Sequence, residues 1–154
     1  MAKLHLQLVT PQRVVLNEEL DSLSCPTIQG QITVLPGHIP LVATLDSGEL
    51  IARPGNGGAE HSIHVAGGFV EVKKDGQVII LADAAEHAEE IDEQEAEAAQ
   101  TRARELLTKA SVSDEEYAMA AAMLQRSTTR LQVARKRARH GQARPVTSES
   151  VLKE

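Results

Sequence analysis

The sequence predicts an α+β chain in which short antiparallel strands, folded as a sandwich or barrel, come first and an antiparallel α-helical hairpin follows. Two observations carry this expectation. Between Gly76 and Gly141 there is neither glycine nor proline, whereas nine of the ten glycines and five of the six prolines lie at or before position 76. Glycine and proline punctuate strands and turns but cost about 1 and 3 kcal/mol inside a helix, so their segregation separates a β half from an α half. In addition, apolar and polar residues alternate through the first half, giving each strand one buried face.

The strands follow in order. Leu4, Leu6 and Leu8 alternate with polar neighbours, then Leu23 with Cys25, Ile32 with Val34, and Ile39 with Leu41, Ala43 and Leu45. Turn signals separate these short runs at Thr10–Pro11, Gly30, Pro36–Gly37, Ser47–Gly48, Pro54–Gly58 and Asp75–Gly76. Regular short strands of this kind imply a sandwich or barrel. The clearest hairpin joins Phe69–Lys73 to Gln77–Leu81 through Asp75–Gly76, a pair that tolerates the positive φ of tight turns. Val78–Leu81 is apolar on both faces, which predicts a strand covered on both sides, with the helical half as the cover.

The helices have their own start signals. Asp92 followed by Glu95 resembles a capping box, and Ser113 followed by Glu116 is a better one. They predict helices from about Asp92 to Lys109 and from about Ser113 to His140, with Gly141 as the stop. The link from Ala110 to Ser113 is short enough to force an antiparallel hairpin. Its expected seam is built from small residues: Ala96, Ala99, Ala103, Leu106 and Ala110 on the first helix, and Ala120, Leu124, Leu131, Ala134 and Ala138 on the second. Each Ala in place of Leu forgoes about 2 kcal/mol of burial, so the hairpin closes weakly. Small seams equally suit close, rigid packing.

Charge favours the first reading. The net charge of −6 hides an asymmetry: residues 1–97 carry sixteen acids against five bases, and residues 126–139 carry six bases and no acid. In a hairpin turning near residues 111 and 112, Glu89, Glu90, Asp92, Glu93, Glu95 and Glu97 lie beside the basic stretch. Helix-dipole preferences explain only the terminal turns. Arg126/Arg130 and Arg135/Arg139 are like-charge pairs at i,i+4, a local cost that an acidic surface offsets. The expectation is a switch, in which the basic helix pairs with its own first helix or reaches a separate acidic partner.

Composition excludes several functions. With 154 residues, 42 % apolar and 25 % charged, the chain suits one ordinary domain or two small ones. Phe69 and Tyr117 are its only Phe, Trp or Tyr residues, too few for a base-stacking platform, so nucleic acid is not an expected partner. The lone Cys25 makes no internal disulfide, and MAKLHLQLV lacks the apolar run of a signal peptide, so a reducing cytoplasmic setting fits. No stretch reaches the roughly 20 apolar residues of a membrane span, so membrane association is expected only through a partner.

Catalytic chemistry is scarce. On a strand the H-x-x-H spacing of His61 and His64 puts the rings on opposite faces, which suits a solvated strand better than a metal site. Cys25 reads as a small core residue. Asp83 and Glu86 read as solubilising a linker after the last strand. Gly55, Gly57 and Gly58 lack the Lys-Ser/Thr ending and following helix of a phosphate loop. No nucleophile, base and ligand constellation emerges, so an enzyme ranks below a structural or small-molecule-binding role. No cofactor or metal is expected.

Leu35-Pro36-Gly37-His38-Ile39-Pro40-Leu41, Ser47-Gly48-Glu49-Leu50, Gly67-Gly68-Phe69-Val70-Glu71-Val72, Leu81-Ala82-Asp83-Ala84-Ala85-Glu86 and Arg130-Leu131-Gln132-Val133-Ala134 occur in order across almost the whole chain. Together they closely resemble the ε subunit of the F-type ATP synthase. The resemblance implies a flattened β-sandwich over 1–86 that binds the γ subunit and sits on the c-ring of the central rotor. It further implies a regulatory two-helix hairpin over 87–141 that inhibits ATP hydrolysis by reaching the catalytic α and β subunits. It places the chain on the cytoplasmic face of the bacterial inner membrane, peripherally. By this analogy Gln31, Pro36, Gly37 and His38 are candidate rotor contacts, although the same Pro and Gly also simply shape turns. Arg126, Arg130, Arg135, Lys136, Arg137 and Arg139 are the candidate inhibitory residues.

Two features depart from the family pattern. Some members bind ATP through an I/L-D-x-x-R-A motif at the start of the first helix. Here Ile91-Asp92-Glu93-Gln94-Glu95-Ala96 has Glu95 in place of the arginine, and a carboxylate repels phosphate, so ATP binding at Ile91, Asp92 and Glu95 is not expected. The segment 142–154 runs beyond many members, and its Pro, Ser and Thr content predicts a disordered tail. A nucleotide-sensing small-molecule binder is the competing reading.

Overall fold

The computed structural model describes residues 2–109 and 111–142. Seven strands come first: β1 (Leu4–Val9), β2 (Val14–Thr27), β3 (Gly30–Val34), β4 (Leu41–Thr44), β5 (Gly48–Pro54), β6 (His61–Val72) and β7 (Gln77–His87). A 3-10 turn (Ala88–Glu90) leads to α1 (Glu93–Thr108) and α2 (Asp114–Gln142). The strands form one sheet in the order β1-β7-β6-β5-β2-β3, and an additional β1–β2 pairing closes it on itself, so the flattened sandwich is barrel-like. β4 attaches to β6, and β1 with β7 is a parallel pair among antiparallel ones.

The interior follows the alternation read from sequence. Leu4, Leu6 and Leu8 are buried on β1, and Leu20, Leu23, Cys25, Leu50, Ile63, Val65, Val70, Val78 and Ile80 join them in one aliphatic core. Cys25 is fully enclosed, and burial pushes its thiol up to about 12, so it fills space rather than attacking substrate. The Asp75–Gly76 hairpin forms as expected: Gly76 has φ +86°, Asp75 Oδ1 accepts from Gln77 N at 3.0 Å, and Phe69 faces Leu81 in register.

Several strands are longer than expected. β2, β6 and β7 have 14, 12 and 11 residues, and the longest two each run past one neighbour to the next, β2 from β1 to β5 and β3, and β6 from β5 to β4. On β6 the inward-facing positions change from Ile63 and Val65 to Val70 and Val72 across Gly67-Gly68. Gly68 has φ +116°, and a Cβ there would meet Leu81 O at 2.0 Å, so only glycine fits this position. The change of facing interrupts the period-two signal. β7 likewise runs on through Asp83 and Glu86, so those residues belong to a strand and not to a linker.

The helices do not cover the outer face of Val78–Leu81. Leu81 is 57 % exposed, as is its cross-strand partner Phe69, and Val42 on β4 is 70 % exposed. α2 packs instead on β5, β6 and the 3-10 turn. Both predicted caps are present. Asp92 Oδ1 accepts from Glu95 N at 3.2 Å, and Ser113 and Glu116 exchange both bonds of a capping box. Gly141 does not stop α2, which continues to Gln142 and spans about 44 Å at 1.5 Å per residue. Seam residues Ala96, Ala103, Ala120, Leu131 and Ala134 are buried, whereas Ala138 is exposed because it lies past the end of α1's reach. Seam residue Ala110 and positions 143–154 of the expected tail lie outside the described residues.

Candidate functional site

The outer surface of β5 and β6 carries a polar row that α2 covers. In register, Glu49 on β5, His64 on β6 and Glu86 on β7 lie side by side. Gln125, Thr129, Val133 and Lys136 recur at intervals of four, four and three residues, so they share one helical face. That face meets the row. Gln125 Nε2 donates to Asp46 Oδ1 at 3.0 Å, Thr129 Oγ1 lies 2.8 Å from both His64 Nε2 and Ser47 Oγ, and Lys136 Nζ lies 2.9 Å from Glu49 Oε2. Val133 is buried at the same level.

Beside this stripe Arg130 grips Glu86, with Nε at 2.5 Å and Nη2 at 3.4 Å. These side chains are only 15 % and 27 % exposed, so the pair is the best shielded ion pair joining α2 to the sheet. On the other side α2 meets α1. Arg135 reaches Glu97 at 2.7 Å and Glu93 at 3.7 Å, and Gln100 Nε2 donates to Thr128 Oγ1 at 3.0 Å. Buried Ser127 satisfies its hydroxyl on Met123 O and Leu124 O within its own helix, leaving a small surface for the alanine seam. Arg137 pairs with Glu89.

The connection between sheet and hairpin is also clasped. Arg13, after the Thr10 turn, holds both carboxylate oxygens of Glu90 at 3.0 and 2.6 Å, and Glu90 also accepts from His87 N. The Arg13 hydrogen bond holds the Glu90 carboxyl down at about 2. Between this clasp and α2 opens a cavity of about 490 Å³, lined by Arg13, Arg126, Arg130, Glu86, Glu90, Glu95 and His64 among others. Glu86 and Glu90 are committed to Arg130 and Arg13. Arg126 has no ion-pair partner among the described residues, and Glu95 stands 4.0 Å from Arg130.

His64 is only 2 % exposed. Burial, reinforced by the positive charges of Arg130 and Arg126, pushes its imidazole down to about 4. The H-x-x-H pair is therefore not a solvated strand. His61 instead bonds Glu18 at 2.8 Å and stands edge-on to His87 at 6.0 Å, and no cluster of three or more potential metal ligands occurs among the described residues.

Of the six candidate bases, four are paired with carboxylates of this chain, and Arg126 and Arg139 have no ion pair among the described residues. They pair with α1 as expected and also with the sheet, through Glu49 and Glu86, which the sequence reading did not foresee. Asp92 caps α1, and Glu95 does face the cavity. Gln31, Pro36, Gly37 and His38 lie elsewhere, on β3 and the turn after it. There His38 N donates to Leu35 O at 3.0 Å and Gly37 takes φ +88°, the arrangement of a type II turn with Pro36 at its second position. The partners Ser47, Thr129, Gln125 and Arg13 were missed. For Gln125 and Thr129 the signal was the mixed polar stripe at helical spacing on α2, and no local pattern pointed to Ser47 or Arg13.

Residues 3–88 match the family model described as the ATP synthase delta/epsilon chain β-sandwich domain, and residues 89–135 match that of its long α-helix domain. The ATP synthase epsilon chain of Dehalococcoides mccartyi is 44 % identical over 142 residues, covering 92 % of this chain and 99 % of the relative. That of Herpetosiphon aurantiacus is 42 % identical over 134 residues, 87 % of this chain and 96 % of its own. Among solved structures, a chain of the Euglena gracilis mitochondrial ATP synthase superposes with a TM-score of 0.75 at 26 % identity, covering 91 % of this chain and 83 % of its own. The sheet, the helical hairpin and these full-length similarities place the chain in one family: it belongs to the ATP synthase epsilon chains.

Proposed function

We propose that the chain is the noncatalytic central-stalk subunit of an F-type ATP synthase in which the sandwich, 1–86, docks on the γ subunit and c-ring and the hairpin, 87–141, is a detachable inhibitor of ATP hydrolysis. Family membership supports the assignment to the rotary complex. One observation carries the inhibitory part: Arg130, Arg135, Lys136 and Arg137 are occupied by this chain's own carboxylates, so they meet an acidic surface of the α and β subunits only when α2 lifts. Their partners are exchangeable, because one carboxylate can replace another.

Docking on the rotor has its own supports. Val42, Phe69 and Leu81 form an exposed apolar patch on the face that the helices leave bare. Gln31, Pro36, Gly37 and His38 are the proposed c-ring and γ contacts, beside exposed Leu35 and Ile39. No helix among the described residues is long and apolar enough to cross a membrane. Attachment to the cytoplasmic face of a bacterial inner membrane accordingly runs through the complex.

The test compares ATP hydrolysis by the reconstituted catalytic core with the full chain, with a truncation after Glu86, and with the α2 bases reversed to Glu. The truncation is expected to bind γ without inhibiting, and reversal to abolish inhibition. Equal inhibition by all three would remove the role from α2. Failure of the truncation to bind γ would remove docking from the sandwich.

A nucleotide-sensing role is the second reading, favoured by Arg126 in the polar cavity, which has no ion pair among the described residues. The carboxylates Glu86, Glu90 and Glu95 oppose it. Calorimetric titration with ATP, with and without Mg²⁺, separates the two: tight binding would support the sensor.

A further inference from the structure

We infer that His64 is a proton-sensitive latch, whose protonation under mild acidification releases α2 from the sandwich. The inference rests on the reading of α2 as a detachable arm. His64 stands at the centre of the docked face, 2 % exposed, with Nε2 at 2.8 Å from Thr129 Oγ1 and 3.4 Å from Ser47 Oγ. Thr129 comes from the arm and Ser47 from the sheet, so one ring joins both sides. Neutral hydroxyls surround it where a charged imidazolium would need a carboxylate.

The charged neighbours reinforce this. From α2, Arg126 and Arg130 face the ring and oppose a further positive charge. From the sheet, Glu49 and Glu86 flank it in register, but Lys136 and Arg130 occupy them. Glu95 of α1, with Arg13 and Glu90 of the clasp, lines the cavity that His64 borders, and Asp46 is held by Gln125. Among the described residues, both carboxylates that flank the ring in register are paired with bases of α2 while it is docked, and Glu95 lies 4.0 Å from Arg130.

Once α2 lifts, the ring lies on an open strand surface and regains water, with an ordinary value near 6.5. Between about 4 and 6.5 the released state therefore binds more protons than the docked state. Docking is fully favoured above 6.5 and weakens as pH falls through that window. With these values the ratio of released to docked chain rises about thirtyfold between pH 8 and pH 5.

The experiment measures distances by electron–electron double resonance in the full chain, with spin labels at Glu71→Cys on β6 and Gln132→Cys on α2, both exposed. The buried Cys25 does not compete for label. The ratio of the long-distance to the short-distance population is expected to grow about thirtyfold from pH 8 to pH 5. His64→Gln, which keeps a polar group but cannot titrate, is expected to lose most of that rise, and Arg130→Glu to open at pH 8. An equal rise in the His64→Gln chain overturns the latch while leaving the arm intact. No opening in any variant at any pH overturns both. An NMR titration of the unlabelled wild-type chain supplies a check without substitution: His64 is expected to titrate well below 6.5, and a midpoint at 6.5 overturns the latch.

Discussion

The interior of the barrel and the face beneath α2 are both buried, yet they are built from opposite materials. Inside, Leu6, Leu8, Leu23, Leu50, Ile63 and Ile80 meet with no side-chain charge among them. Beneath α2, contact is made by an imidazole, hydroxyls, an amide and ion pairs, while the seam to α1 is mainly alanine. Apolar burial contributes about 25 cal/mol per Å² whatever the partner, so the interior folds once and stays folded. A polar interface contributes little beyond what water offers, so it can be exchanged for another. The proposed scaffold and the proposed movable arm are thus built from different materials within the same chain.

The comparison breaks most visibly in the interior. Ile63→Ala, at a fully enclosed position, is expected to cost about 2–5 kcal/mol of global stability, read from urea unfolding followed by circular dichroism. A cost near zero would mean that the core does not carry the fold. Arg130→Ala comes next, leaving the partly buried Glu86 unpaired. It is expected to cost about 1–3 kcal/mol of docking, seen as faster amide exchange in α2 with the barrel's urea midpoint unchanged. A shift of the barrel midpoint by the same amount would mean that sheet and hairpin unfold as one.

How much of this was readable from sequence follows the range of each signal. Local chemistry was legible: the Leu4, Leu6, Leu8 alternation, the Asp75–Gly76 turn and the Asp92 and Ser113 caps each depend on residues a few positions apart. Gly67-Gly68 hid the length of β6, because backbone that turns its inward face over mid-strand breaks the alternation. Leu81 misled because an apolar residue can face an unoccupied surface as readily as a covered one. The docked face was out of reach. Glu86 meets Arg130 across 44 residues, His64 meets Thr129 across 65 and Glu49 meets Lys136 across 87, and no local pattern encodes where a helix lands. The acid–base asymmetry announced attraction but not which carboxylates would answer it.

Smaller changes sharpen the same contrast. Ser113→Ala removes one side of a satisfied capping box and is expected to cost about 0.5–2 kcal/mol, confined to the first turn of α2 and read from amide exchange at Glu116 and Tyr117. Arg135→Ala, at a pair whose side chains are 48 % and 56 % exposed, is expected to cost about 0.2–1 kcal/mol and to lose even that at high salt. A larger, salt-independent effect at Arg135 would place the strength of the hairpin in its surface pairs instead of the shielded Arg130–Glu86 contact.

The most direct test of a fixed barrel carrying an exchangeable arm is native-state hydrogen exchange on the full chain, followed residue by residue at rising urea. Amides of α1 and α2 are expected to exchange through an opening of lower free energy than those of β1, β6 and β7, and Arg130→Glu to lower only the helical set. A single opening free energy shared by helices and strands, shifted together by Arg130→Glu, would contradict the account.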